Sequence, residues 1–347
     1  MYSFACDYLE GCHEEVLKAL SETNMEQAPG YGGDRFTKEA GDAIRNACQD
    51  EYAAVYFVNG GTQTNQLIID TLLEQFEGVL AADTGHVNVH EAGAIEYSGH
   101  KVLTLPPHDG KVSADDVAAY VERFYNDGNY EHMVFPGMVY VSHPSEYGTL
   151  YTADELRQLA DVCHQNGMKL FLDGARLGYG LAADGTDVTL PLIDELCDVF
   201  YIGGTKVGAL NGEAIVFPRG NEPSHFLTRI KQHGALFAKG RLVGVQFGAL
   251  FTNDLYYRLG RHGVEAAKRI RKIFEDAGCR IYIDSPTNQQ FILMKNSEME
   301  ELAKYVQFGF WEEYDEEQTV VRFASSWATT EAGIEELQKA VSAVFGK

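Results

Sequence analysis

From residue 53 onward the chain alternates short apolar runs with longer amphipathic stretches. The runs at 53–58, 78–82, 101–105, 138–142, 168–172, 198–202 and 213–217 predict strands. Val199, Phe200, Tyr201 and Ile202 carry no charge, as expected of a strand buried on both faces. Between the runs, apolar residues recur at helical spacing: Leu67, Ile68, Ile69, Leu72, Leu73 and Phe76 follow Thr62 as one stripe. Ser113 with Asp116 resembles a capping box, Thr152 with Glu155 is a second, and Gly167 closes the helix that Thr152 opens. This alternation predicts an α/β domain with a largely parallel sheet covered on both faces. In such sheets ligands sit beyond the carboxyl ends of the strands.

The flanks differ. Residues 1–50 read as an extension, with helices over 14–21 and 37–48 and the loop Gly30-Tyr-Gly-Gly-Asp34 between them. Past residue 251 a long charged helix (252–277) leads into strand-like runs at 280–284, 290–295, 307–311 and 319–324 and helices at 297–305 and 330–345. The expected division is an N-terminal extension (1–50), a large domain (51–251) and a small C-terminal α+β domain (252–347), with the last boundary inside the long helix.

Composition narrows the partners. The chain has 347 residues, 45% hydrophobic and 23% charged, which is ordinary for a soluble globular protein. A formal net charge of −23 argues against nucleic acid or an anionic membrane as partner. No apolar run is long enough to span a membrane. The start of the chain lacks the basic and apolar regions of a signal peptide, and the six scattered cysteines read as reduced thiols, so a cytoplasmic location is expected.

The candidate chemistry lies at strand ends. Asp198-Val-Phe-Tyr-Ile-Gly-Gly-Thr-Lys206 delivers one lysine from an apolar strand into a tight turn. Asp173 ends another apolar strand, where an acid is costly unless a cation meets it. A lysine to take a cofactor aldehyde and an aspartate to hold the pyridine nitrogen protonated are what a pyridoxal phosphate site needs. In Asn59-Gly-Gly-Thr-Gln-Thr-Asn65, glycines open a helix and expose N–H groups suited to a monophosphate, to which Thr205 could add a hydroxyl. His86, also after a strand, could stack on a flat ring. Each has an ordinary alternative: a solvated lysine, a helix-capping aspartate, a bare glycine turn. His86, His90 and Glu91 lack the HExxH order of a zinc helix, and no metal is expected.

With these residues in this order, the sequence resembles fold-type I pyridoxal-phosphate enzymes, and among them the threonine aldolase-like (β-eliminating lyase) family. Leu172-Asp-Gly-Ala-Arg-Leu177, the Gly61-Thr62 turn, His86 followed by Glu91, and the Lys206 segment carry the resemblance. It implies a large domain with a mostly parallel seven-stranded sheet and a small C-terminal α+β domain. It implies that Lys206 holds pyridoxal 5'-phosphate, that Asp173 pairs with its ring nitrogen and that His86 stacks on it. Gly61, Thr62, Gln63 and Thr205 would hold the phosphate. Arg176 and Arg322 would grip the substrate carboxylate, and His143 would serve the substrate hydroxyl. Tyr31 and Cys6 would sit near the substrate. Lys239 and Arg241 would reach the phosphate across a subunit interface in a homodimer or homotetramer, with the N-terminal extension packed on the core and a neighbouring subunit.

The implied activity is cleavage of a β-hydroxy-α-amino acid, threonine or allo-threonine, to glycine and an aldehyde. β-Elimination or transamination of another amino acid is the alternative within the class, and non-catalytic binding of a phosphate ligand the alternative outside it. The sequence departs from the family pattern at Thr205 (usually serine), at Cys6 (usually serine, a better donor to a carboxylate), at Ser142-His143-Pro144 and at Gly234-Ala-Leu-Phe-Ala-Lys-Gly240.

Overall fold

The computed structural model describes residues 1–346. The chain opens with a two-residue strand, Ser3–Phe4 (β1), and two helices, Glu14–Thr23 and Arg35–Cys48. Asp34 caps the second helix by accepting the Thr37 N–H at 2.8 Å.

Seven strands then build the main sheet: Ala54–Val58 (β2), Glu77–Ala82 (β3), Val102–Leu105 (β4), Phe135–Ser142 (β5), Lys169–Asp173 (β6), Val199–Gly203 (β7) and Glu213–Phe217 (β8). Their order is β2-β8-β7-β6-β5-β3-β4, and β8 alone runs against its neighbours. Each apolar run predicted from the sequence is one of these strands.

Both faces are covered, which is why the strands carry continuous apolar runs. Leu80, Val139, Leu172, Phe200 and Ile202 pack on one face, with Leu156 and Leu159 of the helix Ala153–Gln165. Val79, Tyr140, Phe171, Tyr201 and Ile215 pack on the other, with Leu67, Ile68 and Ile69 of the helix Gly61–Leu72. That helix stops short of the predicted residue 76. Leu73 turns to extended geometry so that β3 can begin at Glu77, which leaves Phe76 exposed.

The Thr152–Glu155 capping box forms in full. At Ser113 only half of one does, because the Asp116 carboxylate turns to His108 and the Ser113 hydroxyl. Short helices without a clear sequence pattern include Leu177–Ala182, Leu190–Leu196, Phe226–Gln232 and Arg241–Leu250. Glycine obscures the last of these for a structural reason. A Cβ on Gly244 would stand 2.7 Å from the Thr37 backbone, so glycine is needed for this helix to lie against Arg35–Cys48.

The helix Leu255–Asp276 leads into a second sheet of Arg280–Ile281 (β9), Gln289–Lys295 (β10), Gln307–Glu313 (β11) and Gln318–Ala324 (β12), backed by Asn296–Leu302 and Glu331–Phe345. Its order is β1-β11-β12-β10-β9. The N-terminal strand is therefore an edge strand of the C-terminal sheet, with Ser3 opposite Gln307. Residues 5–8 then cross from that sheet toward the main one. No helix among the described residues is long and apolar enough to cross a membrane.

Candidate active site

The carboxyl ends of β5, β6 and β7 lie side by side, with Ser142 opposite Asp173. Beyond them opens a cleft of about 350 Å³ lined by Lys206, Asp173, His86, Thr205, Arg176 and the turn Gly60–Thr62. The structure thus gathers strand-end residues far apart in sequence. The wall also includes Tyr8, His90, Ser142, Glu146, Tyr201, Asn211 and Glu213.

Asp173 is 4% exposed and accepts from four donors: Asn65 Nδ2 at 3.0 Å, the Tyr140 hydroxyl at 2.6 Å, the Tyr201 hydroxyl at 2.6 Å and the Ala175 N–H at 2.9 Å. Burial alone would raise its pKa, but the His86 charge and these hydrogen bonds outweigh it and keep the group an anion below the usual aspartate range. Its donors are rigid, because Tyr140 and Tyr201 are core residues of β5 and β7. Asn65 also donates to Glu91 Oε1 at 2.8 Å, and Glu91 Oε1 meets His86 Nδ1 at 2.8 Å. One buried amide therefore ties the aspartate to the histidine's acidic partner.

Lys206 follows β7 in a turn closed by Gly212, whose carbonyl accepts the Gly204 and Thr205 N–H groups at 3.0 and 3.2 Å. Burial and the nearby Arg176 charge lower its pKa from the ordinary lysine value, which favours a reactive free amine. Among the described residues, no hydrogen bond or ion pair reaches its Nζ; the Tyr8 ring centroid lies 5.9 Å away.

The helix Gly61–Leu72 starts at Gly60 without a side-chain cap, so its first N–H groups lack intrahelical partners. A Cβ on Gly60 would meet nothing within 4 Å, and one on Gly61 would approach the Tyr201 hydroxyl to 3.2 Å. Uncapped N–H groups at a cleft wall, a buried anion and an unpartnered amine together fit a pyridoxal phosphate. The phosphate would lie at the helix N-terminus, the ring nitrogen at Asp173 and the aldehyde at Lys206.

Arg176 donates to Asp7 through Nε and Nη2 at 2.8 and 3.0 Å. Asp7 also accepts from Asn288 at 2.8 Å. Burial works against the Asp7 anion, yet the Arg176 charge and these hydrogen bonds bring its pKa down to about 2. Arg322 stands outside the cleft lining. Its guanidinium lies 5.4 Å from the Trp311 ring and donates to Gln289 Oε1 at 3.2 Å and the Ala5 carbonyl at 2.8 Å.

Several expected site residues lie elsewhere or, like Thr205 in the cleft wall, are engaged otherwise. The His143 ring is buried in the core against Tyr151, its Nδ1 accepting the Tyr151 N–H at 3.4 Å, and burial lowers its pKa to about 4. It is absent from the cleft wall because the loop after β5 turns Ser142, Ser145 and Glu146 toward the cleft instead. The Thr205 hydroxyl is committed to Glu213 Oε1 at 2.8 Å and to the Gly212 N–H at 3.1 Å. Gln63 caps backward onto the Asn59 N–H at 3.4 Å, and Cys6 is half-buried away from the wall. Tyr31 borders a second cavity of about 250 Å³ with Tyr56 and Phe237. Arg241 donates to the carbonyls of Thr23 and Glu26, and Lys239 is exposed.

Asp7, Asn65, Tyr140, Glu146, Tyr201 and Glu213 join the site without being candidates on sequence grounds. For Glu213 a signal existed: an acid opens an apolar strand just as Asp173 closes one.

A family model described as beta-eliminating lyase matches residues 4–297. The chain belongs to that family. It is similar to the threonine aldolase of Leishmania major, with 37% identity, 99% of this chain and 100% of that one covered, and a TM-score of 0.96. It is also 28% identical to a low-specificity L-threonine aldolase of Pseudomonas sp. over 99% of this chain and 97% of that protein. The architecture is that of fold-type I enzymes. It is shared with a histidinol-phosphate aminotransferase from Sinorhizobium meliloti solved with pyridoxal-5'-phosphate, at 16% identity, covering 99% of this chain and 90% of that one, with a TM-score of 0.72.

Proposed function

We propose that this protein is a pyridoxal-phosphate-dependent carbon–carbon lyase that cleaves a β-hydroxy-α-amino acid such as threonine or allo-threonine to glycine and an aldehyde. The observation that carries this reading is the convergence of Lys206, Asp173, His86 and the uncapped Gly60–Thr62 turn on one cleft. The two full-length likenesses to threonine aldolases support the choice of reaction.

When bound, the cofactor supplies an electron sink for charge developing at the substrate α-carbon. Lys206 anchors it, and Asp173, an anion immobilised by four donors, is suited to hold a proton on the ring nitrogen. Arg176 is steered by Asp7, and after burial its charge is what lowers the pKa of a second nearby guanidinium, Arg322. With Asp7 as the one acid paired to Arg176, these two cations leave an excess of positive charge for a substrate carboxylate. The β-hydroxyl proton needs an acceptor. His143 points into the core, and we assign the role to His86, whose Nδ1 is held by Glu91 while its ring lines the cleft.

A cytoplasmic homo-oligomer is part of the same reading. Six scattered cysteines without a framework spacing support the location. The placement of Tyr31, Lys239 and Arg241 away from this chain's own cleft supports their serving a neighbour's.

The test is product analysis on a panel of amino acids with the purified full chain. Glycine and acetaldehyde from threonine are expected. 2-Oxobutyrate from threonine, or pyruvate from serine without glycine, would reject aldol cleavage, and a colourless protein that fails to take up pyridoxal phosphate would reject the cofactor.

A further inference from the structure

Five buried acids surround the cleft, and four have an evident task. Asp173 is surrounded by donors, Asp7 pairs with Arg176, Glu91 backs His86, and Glu146 accepts from the Ser142 hydroxyl at 2.7 Å and the His86 N–H at 2.9 Å. Glu213 is the fifth. It opens β8 opposite Gly203, is 3% exposed and lines the cleft beside Lys206. Both of its donors belong to the turn that carries the lysine: the Gly204 N–H at 3.0 Å and the Thr205 hydroxyl at 2.8 Å. Among the described residues no lysine, arginine or histidine lies within ion-pair distance of it. A buried acid without a cationic partner is costly and is retained only where something offsets that cost.

We propose that Glu213 is a positioning residue that fixes the Gly204–Lys206 turn and sets the proton affinity of the Lys206 nitrogen. The inference rests on the cofactor reading above and extends it to the control of its anchor. An ionised Glu213 stabilises a protonated nitrogen on Lys206, and a neutral Glu213 does not. The carboxyl is poised for this, because burial pushes it up to about 8. The other ionisable groups around the pair are Asp173 at the end of β6, Arg176 and Asp7 on the cleft side, Tyr201 of β7 and Tyr256 of the helix Leu255–Asp276. Arg176 lowers the affinity of Lys206 for a proton, whereas Asp7, Asp173 and Glu213 raise it. Of these acids, Glu213 alone bonds to the lysine's own turn.

The experiment is a pH titration of the visible absorbance of the cofactor-loaded full chain, comparing wild type with Glu213→Gln and Glu213→Asp. Removing the charge is expected to move the midpoint of the Lys206-linked transition down by about one pH unit, a tenfold loss of proton affinity. Glu213→Asp, which keeps the charge, is expected to return it toward wild type. A purely structural role would change the amplitude or cofactor retention and leave the midpoint in place. Superimposable midpoints for wild type and Glu213→Gln would overturn the proposal. If the wild-type protein holds no cofactor, the function proposed above fails, and the inference about Glu213 is read instead from the pH dependence of Lys206 acylation in the apo-protein, followed by peptide mass. There Glu213→Gln is expected to acylate faster above about pH 8, where the wild-type carboxyl is ionised, and equal rates would overturn it.

Discussion

The two sides of the cleft are built differently. On the side proposed for the cofactor, Asp173, Lys206 and the Gly60–Thr62 turn follow directly from strands of one sheet, and two of the four donors to Asp173 are core tyrosines two strands apart. On the side proposed for the substrate, Asp7 comes from the N-terminal crossing, Arg322 stands behind the lining on β12 of the second sheet, Ser142 ends β5, and Ser145 and Glu146 come from the loop after it. The first side is set by the sheet and is rigid with it. The second is assembled from segments as far apart as residues 7 and 322 and depends on how two sheets are joined. Placing β1 in the C-terminal sheet is the join, since it fixes residues 5–8 beside both arginines.

The contrast can be broken most forcefully on the cofactor side. Asp173→Asn keeps the shape but removes the anion. It is expected to lower kcat at least about 10²-fold while the fold survives, as measured by steady-state kinetics beside circular dichroism. Activity within a few-fold of wild type would dissolve the distinction between the two sides.

On the substrate side, Arg176→Lys gives up a forked contact for a point charge. The expected change is a rise in KM of about tenfold or more with cofactor retained, since charged hydrogen bonds contribute about 1.5–3 kcal/mol. The same pair is legible in acid stability. Asp7 has its pKa held at about 2 against an ordinary 3.8, so the stabilisation, about 2 kcal/mol, is complete above about pH 4 and is lost as pH falls through 2. Denaturant titrations of wild type and Asp7→Asn should differ at neutral pH and converge near pH 2.

This asymmetry explains what could be read from the chain alone. All seven main strands, the lysine, the aspartate and the glycine turn carry local signals: an uncharged run, an acid or amine at its end, glycines before a helix. His143 has a local signal too, but which way its ring points is decided by the loop that follows, and the structure turns it against Tyr151. Asp7 has no signal without Arg176, which lies 169 residues away. Tyr140 and Tyr201 read as apolar strand positions, and only the sheet order shows that their hydroxyls converge on one carboxylate.

His143 therefore offers a sharper, smaller test. His143→Phe is expected to leave kcat within about threefold and to act on stability instead, through burial and packing. With its pKa lowered from 6.5 to about 4, the buried neutral ring contributes stability that is full above pH 6.5 and is lost as pH falls toward 4. Thermal melts across that range should show the wild-type loss steeper than the variant's. The smallest effect is expected at Cys6, which is off the cleft wall: Cys6→Ser should shift stability and KM by less than about 1 kcal/mol.

The most direct measurement is to reduce the cofactor-loaded protein with borohydride, digest it and locate the pyridoxyl mass. The expected result is a single modified peptide containing Lys206, with none in Lys206→Ala. An unmodified Lys206 with the label on another lysine, or no label at all, would contradict the account.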